Sequence, residues 1–200
     1  MAVSIEQIKE LREATGAGVM ECRKALEQSN GDFDEAIQYL HQIGLEKAAE
    51  RAERETLEGT VELYSHGNGR VGVMVEVNCE TDFVARSQEF RTFAHEIALQ
   101  IAATAPQYVS EEDIPEEVLE SERQSARQYA IDEGKPEAVI ERIVDGRVAK
   151  FKEDVSLLRQ TYIRDDDLTV EQLLTQGIIA IGEKITIRRF ERWELGEETI

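Results

Sequence analysis

Apolar residues recur every three or four positions through the first forty residues, with two interruptions. Ile5, Ile8 and Leu11 make one helical stripe, and Ser4 with Gln7 supplies a capping-box start. "TGAG" at 15–18 breaks the stripe. Helix then resumes from Val19 to Gln28, with Cys22, Ala25 and Leu26 on one face. "SNGD" breaks it again, and Asp32 with Glu35 starts a third helix bearing Phe33, Ile37, Leu40 and Ile43. Three helices this short predict a module over 1–45 whose core is too small to be more than marginally stable. "LEKAAERAERETLEG" follows, rich in helix formers and polar on most faces, which predicts an exposed helical linker over 46–58.

Past Gly59 the period changes to two. "TVELYS" and "VGVMVEVN" flank "HGNGR", where Gly67, Asn68 and Gly69 tolerate positive φ, and the whole predicts a β-hairpin. Ser87 is placed to cap a helix with core face Phe90, Phe93, Ile97 and Ile101. Two long helical segments are expected over about 115–164, parted at "DEGKP", where Gly134 stops one and Pro136 starts the next. Thr169 with Gln172 caps a short helix, and "EKITIRRFERWEL" reads as a last strand that completes a three-stranded sheet. The predicted class is α+β. A three-helix module and a linker precede a core over 59–200, which holds an antiparallel three-stranded sheet, packing helices and a helical hairpin.

Composition narrows the function. The 200 residues are 41% hydrophobic, enough for true cores, and carry a net charge of −19. Such a field repels nucleic-acid backbones and anionic membranes and favours basic partners. No segment nears the roughly 20 apolar residues that span a bilayer, and the start has no basic-then-apolar leader. Cys22 and Cys79 form no C-x-x-C; each shares parity with buried apolar neighbours, Cys79 with Val71, Val73, Val75 and Val77. A reducing, cytoplasmic setting is expected.

Signals of catalysis are poor. His41, His66 and His95 lie on separate elements, without a nucleophile at a motif spacing. Neither G-x-G, at Gly16–Gly18 or Gly67–Gly69, extends to a phosphate-binding fingerprint. "DDD" at 165–167 lacks the alternation and glycine of a calcium loop and reads as a polar lead into the next helix. No catalytic residue, metal or cofactor is expected, and the protein is read as a non-enzyme.

Two stretches remain. In "TGAGVMECRKAL" the glycines permit a tight turn that leaves Val19 and Met20 opening the second helix. Residue chemistry favours core packing for this pair, with a binding surface as the alternative. In "VNCETDFVARSQEF" the strand parity carries Phe83 inward, the reading the residues alone favour. Glu80, Thr81 and Asp82 are poor strand residues, so the alternative stands Phe83 at the tip of a turn beside Asp82.

Together these stretches resemble the signatures of the elongation factor Ts family: "LREATGAGVMECRKAL" its first, "VEVNCETDFVAR" its second. "YSHGNGRVGV", "GKP" and "GRVAKFKEDVSLL" are similar to later parts, so the resemblance spans nearly the whole chain. It implies a ubiquitin-associated-like N-terminal module and a core bearing a coiled coil. It also implies nucleotide exchange on the translational GTPase elongation factor Tu, in both its GDP-bound and nucleotide-free forms. Carried over residue by residue, Thr81, Asp82, Phe83 and Val84 would disturb the magnesium ion that holds GDP, and Gly18, Val19 and Met20 would dock on the GTPase. The alternative is a ubiquitin-associated-type adaptor that only scaffolds. Longer members carry two related core subdomains, whereas this chain has strands for one sheet and ends at "WELGEETI". A homodimer in a two-to-two complex is therefore expected, packed through a sheet face bearing Tyr64, Met74 and, depending on the register of the last strand, Phe190 or Trp193.

Overall fold

The computed structural model describes residues 3–51 and 53–197, leaving out the side chains of Lys47 and Ala48. Among the described residues, eight α-helices and five strands are present; the expected elements keep their order, and α4, β3 and β4 are additions to it. α1 (Ile5–Thr15), α2 (Val19–Gln28) and α3 (Phe33–Glu50) lead to the hairpin of β1 (Glu58–His66) and β2 (Val71–Cys79). Next come α4 (Asp82–Ala85), α5 (Gln88–Thr104), α6 (Glu116–Asp132) and α7 (Glu137–Val155). The short strands β3 (Thr161–Tyr162) and β4 (Asp165–Thr169) precede α8 (Val170–Ile181) and β5 (Thr186–Glu194). The antiparallel sheet runs β1-β2-β5, with β2 central; β3 and β4 form a separate antiparallel pair.

Packing divides the chain into two compact units, with boundaries inside β1, β2, α5, α8 and β5. One comprises 1–62, 76–94 and 172–187; the other comprises 63–75, 95–171 and 188–200. In the first, α1 to α3 close over Leu11, Ala17, Cys22, Ala25, Leu26, Ala36 and Leu40. Ser4 and Gln7 exchange the bonds of the predicted capping box, and the Asp32 carboxylate accepts from the Glu35 N–H. Gly16 caps α1 with φ 70, in the left-handed region. Gly18 sits at φ −63, so its conformation is open to any residue. Gly44 of α3 meets α8 so closely that a Cβ would overlap Ile179. Buried Val77, Cys79, Phe90, Phe93, Ile185 and Ile187 complete the apolar interior of this unit.

α3 continues to Glu50, so the expected linker helix is present only over 46–50; Arg51, Glu53 and Arg54 are turn or bend and 55–57 carry no regular element before β1. The reason is local. A helix polar on every face gains nothing from packing, and extended backbone lets Arg54 reach Glu80 at 2.8 Å and Thr56 reach Thr186 at 3.4 Å.

In the second unit α6 and α7 pair over Ile114, Leu119, Ala126, Val144, Val148 and Val155, with Arg127 clamping both oxygens of Glu141. Their hairpin ends at Val155, short of the expected 164. Ser156 adopts an extended ψ of 116, buried Leu157 donates its N–H to the Tyr108 carbonyl, and β3 follows. Fully buried Gln100 fixes the new pair, donating to the Thr161 carbonyl at 3.0 Å and accepting from the Ile163 N–H at 2.9 Å. "DDD" thus belongs to strand β4, which pairs antiparallel with the β3 that Gln100 holds.

Candidate functional site

The tip begins where β2 runs out. Val73, Val75, Val77 and Cys79 point inward as the alternation predicts, and the buried Cys79 thiol donates to the Thr81 carbonyl at 3.2 Å. Thr81 then caps α4: its backbone is extended and its Oγ1 accepts from the Val84 N–H at 3.3 Å. One helical turn follows, and Ser87 restarts helix by accepting from the Phe90 N–H. The turn buries Ala85 and leaves Phe83 83% exposed. This corrects the inward Phe83 favoured by parity. Strand geometry stops at Cys79, so a rule of alternate faces has no meaning four residues later. Asp82 is exposed and pairs with Arg86 at 3.0 Å, one helical turn on.

Two carboxylates from distant parts of the sequence hold this turn. Glu183 Oε2 accepts from the N–H groups of Glu80 and Thr81 at 3.1 and 3.0 Å, and its Oε1 accepts from the Thr81 hydroxyl at 2.7 Å. The Glu80 carboxylate accepts from the Lys184 N–H at 2.7 Å and from Arg54. Burial pushes the Glu80 carboxyl up, but the Lys184 amide and the Arg54 guanidinium outweigh it, and its pKa is lowered. Burial, reinforced by the nearby Glu183 carboxylate, pushes the Cys79 thiol up to about 11. Sequence reasoning missed Glu183, because one acid among 42 carries no signal until the fold sets it against Thr81.

The second predicted site is the α1–α2 turn. Val19 is 51% exposed and Met20 72%, so both stand outside the core that residue chemistry favoured for them. The small interior of the module is filled by Ala17, Cys22, Ala25 and Leu26, leaving the first helical turn of α2 to solvent. Glu21 turns back to accept from the Gly18 N–H at 3.3 Å. Met20 also borders an open cleft between α2 and α3 with Lys24, Tyr39 and Ile43.

On β5 the register sets Phe190 and Trp193 apart, Phe190 half-buried and Trp193 exposed. Met74 and Trp193 line an open apolar concavity with Leu63 and Glu191. Tyr64 borders the same concavity, and its ring meets His95 of α5 edge to face, 5.5 Å between centroids. Phe190 shares parity with Arg192, whose guanidinium reaches the Ala102 carbonyl of α5 at 3.4 Å. Arg188 and Arg189 are both exposed, so the alternation of β5 slips after buried Ile187. Val61 and Leu63, 55% and 70% exposed, add to the open face.

Among the described residues, no group of three or more His, Cys, Asp or Glu side chains is arranged to hold a metal ion, and no helix is long and apolar enough to cross a membrane. His66 bonds to the Tyr64 hydroxyl, His95 packs on the same ring, and His41 is exposed on α3.

Comparison with known proteins agrees with the two signatures. A family model described as elongation factor TS matches residues 4–197. Among curated proteins, the chain is 55% identical over 195 residues to elongation factor Ts of Carboxydothermus hydrogenoformans, covering 98% of this chain and 90% of that one. It is likewise 55% identical to that of Caldanaerobacter subterraneus subsp. tengcongensis, covering 98% of each. To that of Moorella thermoacetica it is 51% identical, over 98% of this chain and 96% of the other.

Proposed function

The chain belongs to the elongation factor Ts family, and from that premise we propose that it is a translation elongation factor that exchanges guanine nucleotide on elongation factor Tu, in the cytoplasm. The observation that carries this reading is Phe83. A large aromatic, 83% exposed, stands beside Asp82 on a turn with its backbone held at both ends. An aromatic side chain standing in solvent is the kind that anchors an interface when a partner buries it.

In this reading Phe83 enters the GTPase as a pry, and Asp82 competes for polar contacts near the magnesium ion that bridges GDP to Tu. Thr81 and Val84 shape the turn that carries them. The thermodynamic requirement is linkage: a factor that binds empty Tu more tightly than GDP-bound Tu weakens GDP by the same ratio. Each tenfold takes about 1.4 kcal/mol of differential binding. Burying one aromatic contributes roughly 1.5–3 kcal/mol, so Phe83 supplies one to two decades and the wider interface supplies the rest. Gly18, Val19 and Met20 provide docking. The factor makes and breaks no covalent bond and needs no cofactor of its own.

The partner reading extends to a second copy of the chain. Val61, Leu63, Met74 and Trp193 leave one sheet face apolar and open, which supports a homodimer through that face and a two-to-two complex with Tu. No cysteine lies in β5, so the contact is non-covalent. Light scattering at micromolar concentration, with and without reductant, should give twice the mass of one chain in both cases. The mass of a single chain rejects the dimer.

Release of fluorescent GDP from Tu tests the central reading. Acceleration that saturates with added protein is expected. Binding to Tu without acceleration would instead identify a scaffolding adaptor.

A further inference from the structure

The tip owes its shape to a residue outside it. A single helical turn does not sustain itself, because nucleation fixes several residues for one hydrogen bond. α4 has four residues. Its geometry is therefore imposed at its ends, and at the leading end three donors converge on Glu183: the N–H groups of Glu80 and Thr81 and the Thr81 hydroxyl. The hydroxyl has one hydrogen and two lone pairs. Giving the hydrogen to Glu183 Oε1 aims a lone pair at the Val84 N–H, which is the capping bond of α4. Glu80 answers from the tip side by accepting the Lys184 N–H at 2.7 Å, so the two loops exchange carboxylates. Hydrogen bonds to an ionised acceptor are the strong class, and four of them meet here across more than a hundred residues of sequence.

We infer that Glu183 is a positioning residue for nucleotide exchange: through Thr81 it fixes the pose in which Asp82 and Phe83 meet the GTPase. The inference rests on the exchange reading above and names a residue that the signature stretch 75–86 does not contain. Glu183 touches the tip only through Thr81 and the adjoining backbone, so it acts on what the tip does after docking and leaves docking itself alone.

The test follows stimulated GDP release against factor concentration for wild type, Glu183→Ala and Glu183→Gln, each also in a Phe83→Ala background. Glu183→Ala is expected to lower the maximal rate about tenfold and to change the half-saturating concentration less than about twofold. Glu183→Gln keeps an oxygen for the amides but offers an NH2 to the Thr81 hydroxyl, so it should lose part of the rate and carries the test if the alanine variant does not fold. Backbone hydrogen exchange at Glu80 and Thr81 should rise in the alanine variant. With Phe83 already removed, changing Glu183 should cost little more, whereas general destabilisation would cost the same in both backgrounds. A full maximal rate in Glu183→Ala, or a loss undiminished in the Phe83→Ala background, overturns the inference. Failure of the wild type to accelerate release is read before any variant, and it overturns the exchange reading together with the inference built on it.

Discussion

Met20 and Phe83 are both large apolar side chains left in solvent, yet the chain supports them differently. Met20 opens α2 at the edge of a module with a small interior, beside a turn whose predicted glycine need holds at Gly16 alone. Phe83 rides on a turn pinned by Glu183 before it and by Ser87 after it. Even the thiols beneath them differ. Cys22 reaches the Ala17 carbonyl at 3.6 Å, whereas Cys79 makes a closer 3.2 Å contact with Thr81. A flexible thioether on a turn held by local bonds alone, such as Gly18 N–H to Glu21, suits adaptable docking. An aromatic on a braced turn suits a task in which the surface must not yield. Affinity tolerates a soft surface, but displacing a bound ligand does not, since a tip that bends stores no differential energy.

The sharpest way to break this contrast is to remove Phe83. Phe83→Ala should lower the saturated rate of GDP release by about ten- to a hundredfold, matching the roughly 1.5–3 kcal/mol of one buried aromatic. The thermal unfolding curve should stay cooperative near that of wild type, because an 83% exposed ring contributes little to the fold. Normal exchange by this variant would remove the tip from the mechanism, and loss of the fold would show that Phe83 serves stability.

Beneath the tip, Cys79 gives the bracing a pH signature. Its thiol is raised from 9.0 to about 11 in the folded protein, by burial first and the Glu183 carboxylate second. The folded state thus holds this proton more tightly than the unfolded chain. The resulting stability is complete below pH 9 and is lost as pH climbs toward 11, a change on the order of 2 kcal/mol. Urea midpoints measured across that window should fall more steeply for wild type than for Cys79→Ala. Parallel slopes would mean that the thiol ionises freely and the foot of the tip is open to water.

Met20→Ala should act on affinity alone, raising the half-saturating concentration roughly fivefold, or about 1 kcal/mol, with the same maximal rate. A lower maximum would make the α1–α2 turn part of the displacing machinery and erase the distinction from Phe83. Smallest of all, Arg86→Gln should change stability by less than about 0.5 kcal/mol, as is usual for an exposed pair one helical turn apart. A larger loss in calorimetry would move the bracing from the Glu183 hydrogen bonds to the Asp82–Arg86 ion pair.

Local signals carried much of the architecture into the sequence. Caps at Ser4, Asp32 and Ser87, the Gly67–Asn68–Gly69 turn and the valine alternation of β2 each depend on neighbours a few residues away, and the fold follows them. Residue chemistry failed where the deciding partner is remote. Gln100 writes β3 into a stretch that reads as helix. A slip in β5 settles the open register, sending Phe190 to the helix side and Trp193 to solvent. At the tip, the signature words located Thr81, Asp82 and Phe83, but nothing in them points to Glu183.

The distance in sequence between the tip and its anchor also sets an order of events. Synthesis proceeds from the N-terminus, so Asp82 and Phe83 emerge about a hundred residues ahead of Glu183, and closing so long a loop precedes any reward from the contacts it brings. Until the last strand arrives, the nascent chain displays the right residues on a turn without a fixed shape. The turn thus acquires its brace only after about a hundred further residues have been made.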